Sequence, residues 1–253
     1  MKWYLKIIPL LFILVAWEIV SVILNNPFIL PEPASVAAVL MKPTADILGS
    51  GSILENSRLS IWRVALGFGL AVACAVPAGI IIGRYQIIED LVNPIIQLFR
   101  PIPPLAWVPL ALAWFKIGLP SMVFIIFIGS FFPILINSID GVRRVNRTWI
   151  ETASIYGAKG WKLLVYVILP AAAPAIWTGL RVGFGVAWMC VVAAEMLPGT
   201  TSGIGYLIMY SYNWGQVQVI IAGMIIIGII GIGVDILFRA VEKRKFQWQE
   251  MNR

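Results

Sequence analysis

Long apolar blocks constrain this chain more than any other feature. Val64–Gly83 is twenty residues without a charge, bracketed by Arg63 and Arg84, and Trp214–Val234 is likewise uncharged. Crossing the hydrocarbon core takes about 20 mostly apolar residues. In lipid each block must satisfy its own backbone hydrogen bonds, which leaves helices or a closed barrel. A barrel would show short segments of strict alternation, and the blocks show none. The chain is expected to be an all-α membrane protein, a polytopic helical bundle. Charge agrees: only 12% of the 253 residues are charged, about half the share of a soluble domain.

The blocks predict about six transmembrane helices: Leu5–Leu24, Val64–Gly83, Pro101–Phe115, Ile117–Ile139, one within Ala171–Leu197, and Trp214–Val234. The first runs long and lacks a small-residue cleavage site, so a retained span is expected rather than a signal peptide. The third is the irregular one. Pro101, Pro103, Pro104 and Pro109 cannot start a regular helix, so an extended entry that becomes helical after Pro109 is expected. Irregular backbone at membrane depth is tolerated where protein or a water cavity covers it. That makes Pro103, Pro104 and Trp107 candidate pathway residues, with a kinked structural helix as the alternative. Gln86–Arg100 is mixed, and Asn25–Arg58 is polar and rich in proline and serine. The domain expectation is therefore 1–58 as a first helix with an extracytoplasmic segment, and 59–253 as a core of five spans.

An even number of spans puts both termini on one side. With the N-terminus in the cytoplasm, only Lys42, Arg58, Arg63 and Lys116 of the nineteen lysines and arginines fall outside, as the bias toward basic inner loops requires. Arg100 counts among the inner charges. The net charge of +7 is then a matter of topology, and the short, dispersed basic runs give no reason to expect a nucleic-acid partner. Histidine is absent, which removes imidazole metal sites and histidine-based catalysis. Cys74 and Cys190 lie inside apolar blocks and are expected as packing residues. Arg181, Asp235, Glu195 and Glu18 are charges within or beside spans. Arg181 and Asp235 are placed to pair. Glu195, near the outer mouth of the fifth span, faces either the pathway or the headgroups. Gly79/Gly83 and Gly179/Gly183 are small-residue pairs that permit close helix packing.

Between the fourth and fifth spans lies a polar, basic segment, 140–170. Thr148-Trp-Ile-Glu151 fits a capping box, predicting a short helix to Tyr156. Gly157 and Gly160 break it, and a second helix from Trp161 should end before Pro170. Ile150, Ala153, Trp161, Leu164 and Ile168 are too sparse for a span and suit a surface pressed into a partner's groove.

The spacing of Glu151, Ala153 and Gly157, with Leu169-Pro170 twelve residues after the glycine, resembles the EAA loop of ABC-importer permeases. That pattern runs E-A-A, three residues, G, nine residues, I, one residue, L-P. The chain departs from it at Thr152 and Val167. The resemblance extends from about Leu30 onward. The segments 100–109 (RPIPPLAWVP), 178–183 (TGLRVG) and 202–208 (SGIGYLI) resemble the nitrate/sulfonate/taurine branch. The resemblance implies a type I ABC importer permease fold, two permease copies forming a pore, two cytoplasmic ATPase subunits, and an extracytoplasmic binding protein delivering a small solute. It places Glu151, Ala153, Tyr156, Gly157, Leu169 and Pro170 in a coupling helix docked on the ATPase. It also makes the fifth span, with Trp188, Met189 and Glu195, a candidate pathway wall. No cofactor, metal or catalytic residue is implied. The chain has no Gly-Lys dipeptide, so it holds no Walker A loop, and nucleotide hydrolysis falls to another polypeptide. A stand-alone secondary transporter or channel is the alternative. It would carry paired ionisable groups near the midplane, whereas charges here cluster near the span ends. A membrane-embedded enzyme would need a convergent polar constellation, and none is visible.

Overall fold

The computed structural model describes residues 4–246. Lys2 and the tail from Gln247 to Arg253, which share in the expected charge pattern, lie outside the described residues, as does the side chain of Lys6. The described residues are helical and contain no strand. In order they form α1 (Tyr4–Leu24), α2 (Pro33–Leu40), α3 (Ile53–Arg84), α4 (Gln86–Phe99), a 3-10 turn (Pro104–Trp107), α5 (Val108–Phe115), α6 (Leu119–Arg143), α7 (Arg147–Ile155), α8 (Trp161–Leu163), a π-turn (Leu164–Ile168), α9 (Leu169–Glu195), α10 (Ile204–Asn213) and α11 (Val217–Lys245).

Four helical runs are long and apolar enough to cross a membrane: α3, α6, the continuous run Trp161–Glu195, and α11. A fifth arises if α4 and Pro104–Phe115, bent by 84° at their junction, count as one broken span. In α1 the apolar stretch Leu11–Leu24 is shorter than a full crossing, and its Glu18 is exposed. The helical bundle is thus present, while the tally by length and composition stops at four or five rather than six. The proline-rich third segment becomes helical earlier than expected, at Pro104 rather than after Pro109. It turns through a 3-10 helix and becomes α-helical at Val108, with Pro109 in the first turn, where a missing N–H costs nothing.

Two compact units emerge, one from the chain up to Ser60 together with Glu195–Ile230, the other from Ile61–Ala194 together with Gly231 onward. In the first, Val36, Ile53, Leu207, Val219 and Ala222 form the core. The indole N–H of Trp17 donates to the carbonyl of Pro31 (2.9 Å), tying α1 to the loop after it. Ser52 caps α3 by accepting from the N–H of Glu55 (3.2 Å), a serine-to-glutamate spacing suited to a helix start. Helix α10 falls in a stretch the sequence left without an element, because it is too short to register as a span.

The second unit is built around α6. Its buried serines Ser130 and Ser138 turn their hydroxyls back onto the carbonyls four residues earlier (2.7 Å each), so polar groups in the interior are satisfied within the helix. Glycines bring the neighbours close. A Cβ at Gly79 of α3 would sit 2.4 Å from Cβ of Ser138 and 2.9 Å from the carbonyl of Leu135, and one at Gly183 of α9 would sit 2.7 Å from Ile134. The small-residue pairs therefore serve packing within the chain, with α3 and α9 both seated on α6. Cys190 is buried against Gly129, whereas Cys74 is exposed, so only one cysteine has the packing role expected of both. Arg181 and Asp235 pair as anticipated (2.6 Å), and Asp235 also takes Arg239 (2.8 Å).

Gly79→Ala is expected to destabilise the detergent-solubilised protein by about 1–3 kcal/mol through overpacking. Gly185→Ala, where an added Cβ meets nothing within 4 Å, should leave the thermal midpoint nearly unchanged. Equal midpoints for the two variants would show that the α3–α6 approach is not tight.

Candidate functional site

Helix α7 and the turn after it form the hairpin that the sequence places between the fourth and fifth spans. The capping box at Thr148 does not form. Asn146 caps instead, its side chain accepting from the N–H of Thr148 (2.9 Å), because asparagine is among the strongest caps and stands one residue ahead of the helix. Glu151 is released from capping and reaches Arg147 (3.5 Å) on the exposed face, a contact that adds little stability.

The helix ends in a Schellman motif. Gly157, at φ +86°, donates to the carbonyl of Ser154 (3.0 Å), and Ala158 donates to that of Ala153 (2.9 Å). Glycine is needed there because side chains rarely adopt left-handed backbone. An added Cβ would meet nothing within 4 Å, so the requirement is conformational rather than steric. Gly160, at φ +55°, turns the chain into α8.

The second helix does not stop before Pro170. It widens into the π-turn Leu164–Ile168 and continues as α9. A π-turn opens the ladder beside the residue that lacks an N–H, so the proline is accommodated inside a longer helix. Leu169 and Pro170 are therefore the first turn of α9, not a terminus.

Of the apolar residues expected on an outward surface, Ile150, Ala153 and Leu164 pack against Val142, Leu163, Ile168 and Ala172 at the ends of the spans. The hairpin is fastened to its own membrane core by that face. Trp149 and Tyr166 are also exposed, and Ile155 (83% exposed), Tyr156 (87%) and Trp161 (73%) stand out around the glycine turn. Ile155 was not singled out from the sequence. Its position two residues before a residue that must be glycine is the signal that marks it. Beneath the hairpin, a cleft of about 590 Å³ is lined by Arg84, Glu89, Asp90, Arg143 and Arg147, with Arg143 bonded to Glu89 (2.7 Å) across it.

The candidate pathway residues fall in different settings. Pro103 is exposed. Pro104 lines a cavity of about 330 Å³ with parts of α6 and α9. Trp107 stacks near Phe99 and Phe124 (ring centroids 5.9 and 6.5 Å), and its indole N–H is buried without a partner. Trp188 is buried near Gly231, and Met189 is exposed.

Glu195 takes neither of the orientations considered from the sequence. It is fully buried, and its carboxylate accepts from the hydroxyl of Ser60 (2.7 Å) and the N–H of Gly205 (3.1 Å). Ser60 in turn accepts from the N–H of Ile204 (2.9 Å), and Asn56 accepts from that of Gly203 (2.7 Å). Three side chains thus hold three successive backbone donors at the start of α10, the groups a helix leaves unpaired, and the carboxylate lies at the positive end of the helix dipole. Gly203 admits this arrangement, since a Cβ there would lie 2.2 Å from the carboxylate carbon.

The family model for the inner membrane component of binding-protein-dependent transport systems matches residues 75–247. A putative ABC transporter permease protein of Methanocaldococcus jannaschii is 54% identical over 94% of this chain and 89% of its own length. The taurine transport system permease protein of Escherichia coli is 34% identical over 92% of this chain and 84% of its own. The nitrate import permease protein of a Synechocystis strain is 36% identical over 88% and 82%.

Glu195→Ala is expected to cost about 1–3 kcal/mol by stranding buried donors and to speed hydrogen exchange at the amides of 203–207. Exchange at the wild-type rate would mean that the carboxylate does not hold the start of α10.

Proposed function

This chain belongs to the inner membrane components of binding-protein-dependent transport systems, and we propose that it lines the path by which an ATP-driven importer moves a small anion inward. It is a multi-pass membrane protein and a transport component. Membership of an ABC permease family implies an ATPase and a solute-binding protein as partners. The anion class follows the names of relatives that carry taurine, sulfonate and nitrate.

The observation that carries the mechanism is the hairpin. Its inner face is anchored to the span ends, and its outer face presents Ile155, Tyr156 and Trp161 around a rigid turn. Large exposed aromatic side chains on a fixed scaffold are the residue types that dominate docking energy. In the proposed mechanism Glu151, Tyr156 and Gly157 meet a cleft of the ATPase, Ala153 seats the helix that carries them, and Leu169 and Pro170 join it to α9. Movement of the ATPase then shifts α9 and opens or closes the path. Residues 59–253 supply this core, two copies complete the pore as a homodimer, and both termini lie in the cytoplasm.

Tyr156→Ala should weaken association with the ATPase by roughly 30-fold, about 2 kcal/mol. Gly157→Glu should abolish copurification of the ATPase while leaving the thermal midpoint of the spans within a few degrees. Copurification of both variants at the wild-type ratio would remove the docking assignment.

A further inference from the structure

Three turns far apart in sequence meet in the first compact unit. One follows α1, where the side chain of Asn26 accepts from the N–H of Phe28 (3.0 Å). Another spans 46–51, ahead of α3, and the third, 214–216, joins α10 to α11. The hydroxyl of Tyr210 donates to the carbonyl of Leu48 (3.1 Å), and the Tyr210 ring lies 6.2 Å from that of Trp214. At Gly215 an added Cβ would sit 3.1 Å from the ring of Phe28. Each turn thus brings one large apolar side chain to the same patch, and all three are open: Phe28 is 72% exposed, Leu48 50% and Trp214 62%.

Lipid does not cover such a patch. Turns leave backbone groups without helical partners, and irregular backbone facing hydrocarbon is not tolerated. Residues 41–46, which lead into the second turn, are all exposed, Lys42 and Asp46 among them. These side chains therefore stand in water, where clustered large apolar groups mark a protein interaction site.

Leu48 is also held in a conformation that leucine rarely takes. Its φ is +53°, left-handed backbone that bulky side chains avoid. The carboxylate of Asp46 imposes it by accepting from the N–H groups of Gly49 (2.8 Å) and Gly51 (2.9 Å), and the hydroxyl of Ser50 donates to the carbonyl of Ile47 (2.6 Å). Strained residues persist where the surroundings over-determine them, and they cluster at functional sites. Glycine would fit this backbone without strain, so what leucine adds is its side chain. Asn56 ties the turn to α10: it donates to the carbonyl of Ser50 (3.0 Å) and accepts from the N–H of Gly203 (2.7 Å), where the Glu195 carboxylate at the end of α9 also sits.

We propose that Phe28, Leu48 and Trp214 form the seat of the solute-binding protein, with Leu48 as its preset contact. This rests on the reading of the chain as a binding-protein-dependent permease with both termini in the cytoplasm, which puts the turns after α1, before α3 and before α11 on the outer face. Aromatic and apolar anchors rimmed by polar residues are what a soluble protein partner docks on. The rigid turn keeps the ordering cost of docking low. Through Asn56, pressure on the turn reaches the start of α10 and the end of α9, the helix to which the hairpin is joined.

The test uses the permease–ATPase complex in lipid nanodiscs, with its solute-binding protein, purified and fluorescently labelled, as the probe. Leu48→Gly is expected to weaken binding of that protein at least tenfold, while the thermal midpoint of the complex stays level or rises because the strain is gone. Weakened binding with a fallen midpoint marks a structural role and overturns the inference. So does wild-type affinity in the assembled Leu48→Gly complex. Should that variant fail to assemble, Trp214→Ala decides in the same way. A photo-crosslinker on Leu48→Cys, in a Cys74→Ser background, identifies the occupant: crosslinks to the binding protein support the seat, and crosslinks only to lipid or to a second permease copy overturn it. A wild-type complex that binds no solute-binding protein overturns the importer reading and this inference with it.

Discussion

A backbone polar group without a partner costs several kcal/mol in hydrocarbon, and several interruptions of helices among the described residues are answered by specific groups. Ser52 closes the start of α3, Asn146 that of α7, and Asn56, Ser60 and Glu195 together that of α10. Where α7 ends, Gly157 and Ala158 return their N–H groups to the carbonyls of Ser154 and Ala153. The functional hairpin is one of these solved interruptions. Its rigidity comes from hydrogen bonds that its own termini would otherwise leave unmade.

Charges within the spans follow a parallel rule. Arg181 and Asp235 neutralise one another, and Glu195 is surrounded by donors rather than exposed to lipid or water. The pairing of Arg181 with Asp235 was legible, because both sit near the same end of consecutive spans. The fate of Glu195 was not. Its partner Ser60 lies 135 positions away in sequence, and nothing local marks it. The same limit hid α10, whose ten residues carry too little apolar signal to stand out.

The hairpin was partly legible for the opposite reason. Its glycine is required by a local backbone conformation, so spacing alone locates the turn. The face of α7 that turns inward could not be read that way, because Ile150 and Ala153 find their partners at Val142 and Ala172 only once the spans are assembled. Nor could the continuity through Pro170. Proline normally ends a helix, and the widened turn that accommodates it here leaves no composition signature in Leu164–Ile168.

That widened turn fixes an angle. One residue more than an ordinary helical turn advances the chain by about 100° around the axis, so everything before Leu164 is rotated relative to where an unbroken ladder would put it. The direction in which Trp161 points, viewed down α9, is thus written in the number of residues separating it from Pro170. A single deletion inside 164–168 would preserve composition, hydrophobicity and helix content, yet swing the aromatic cluster to a different quarter of the compass.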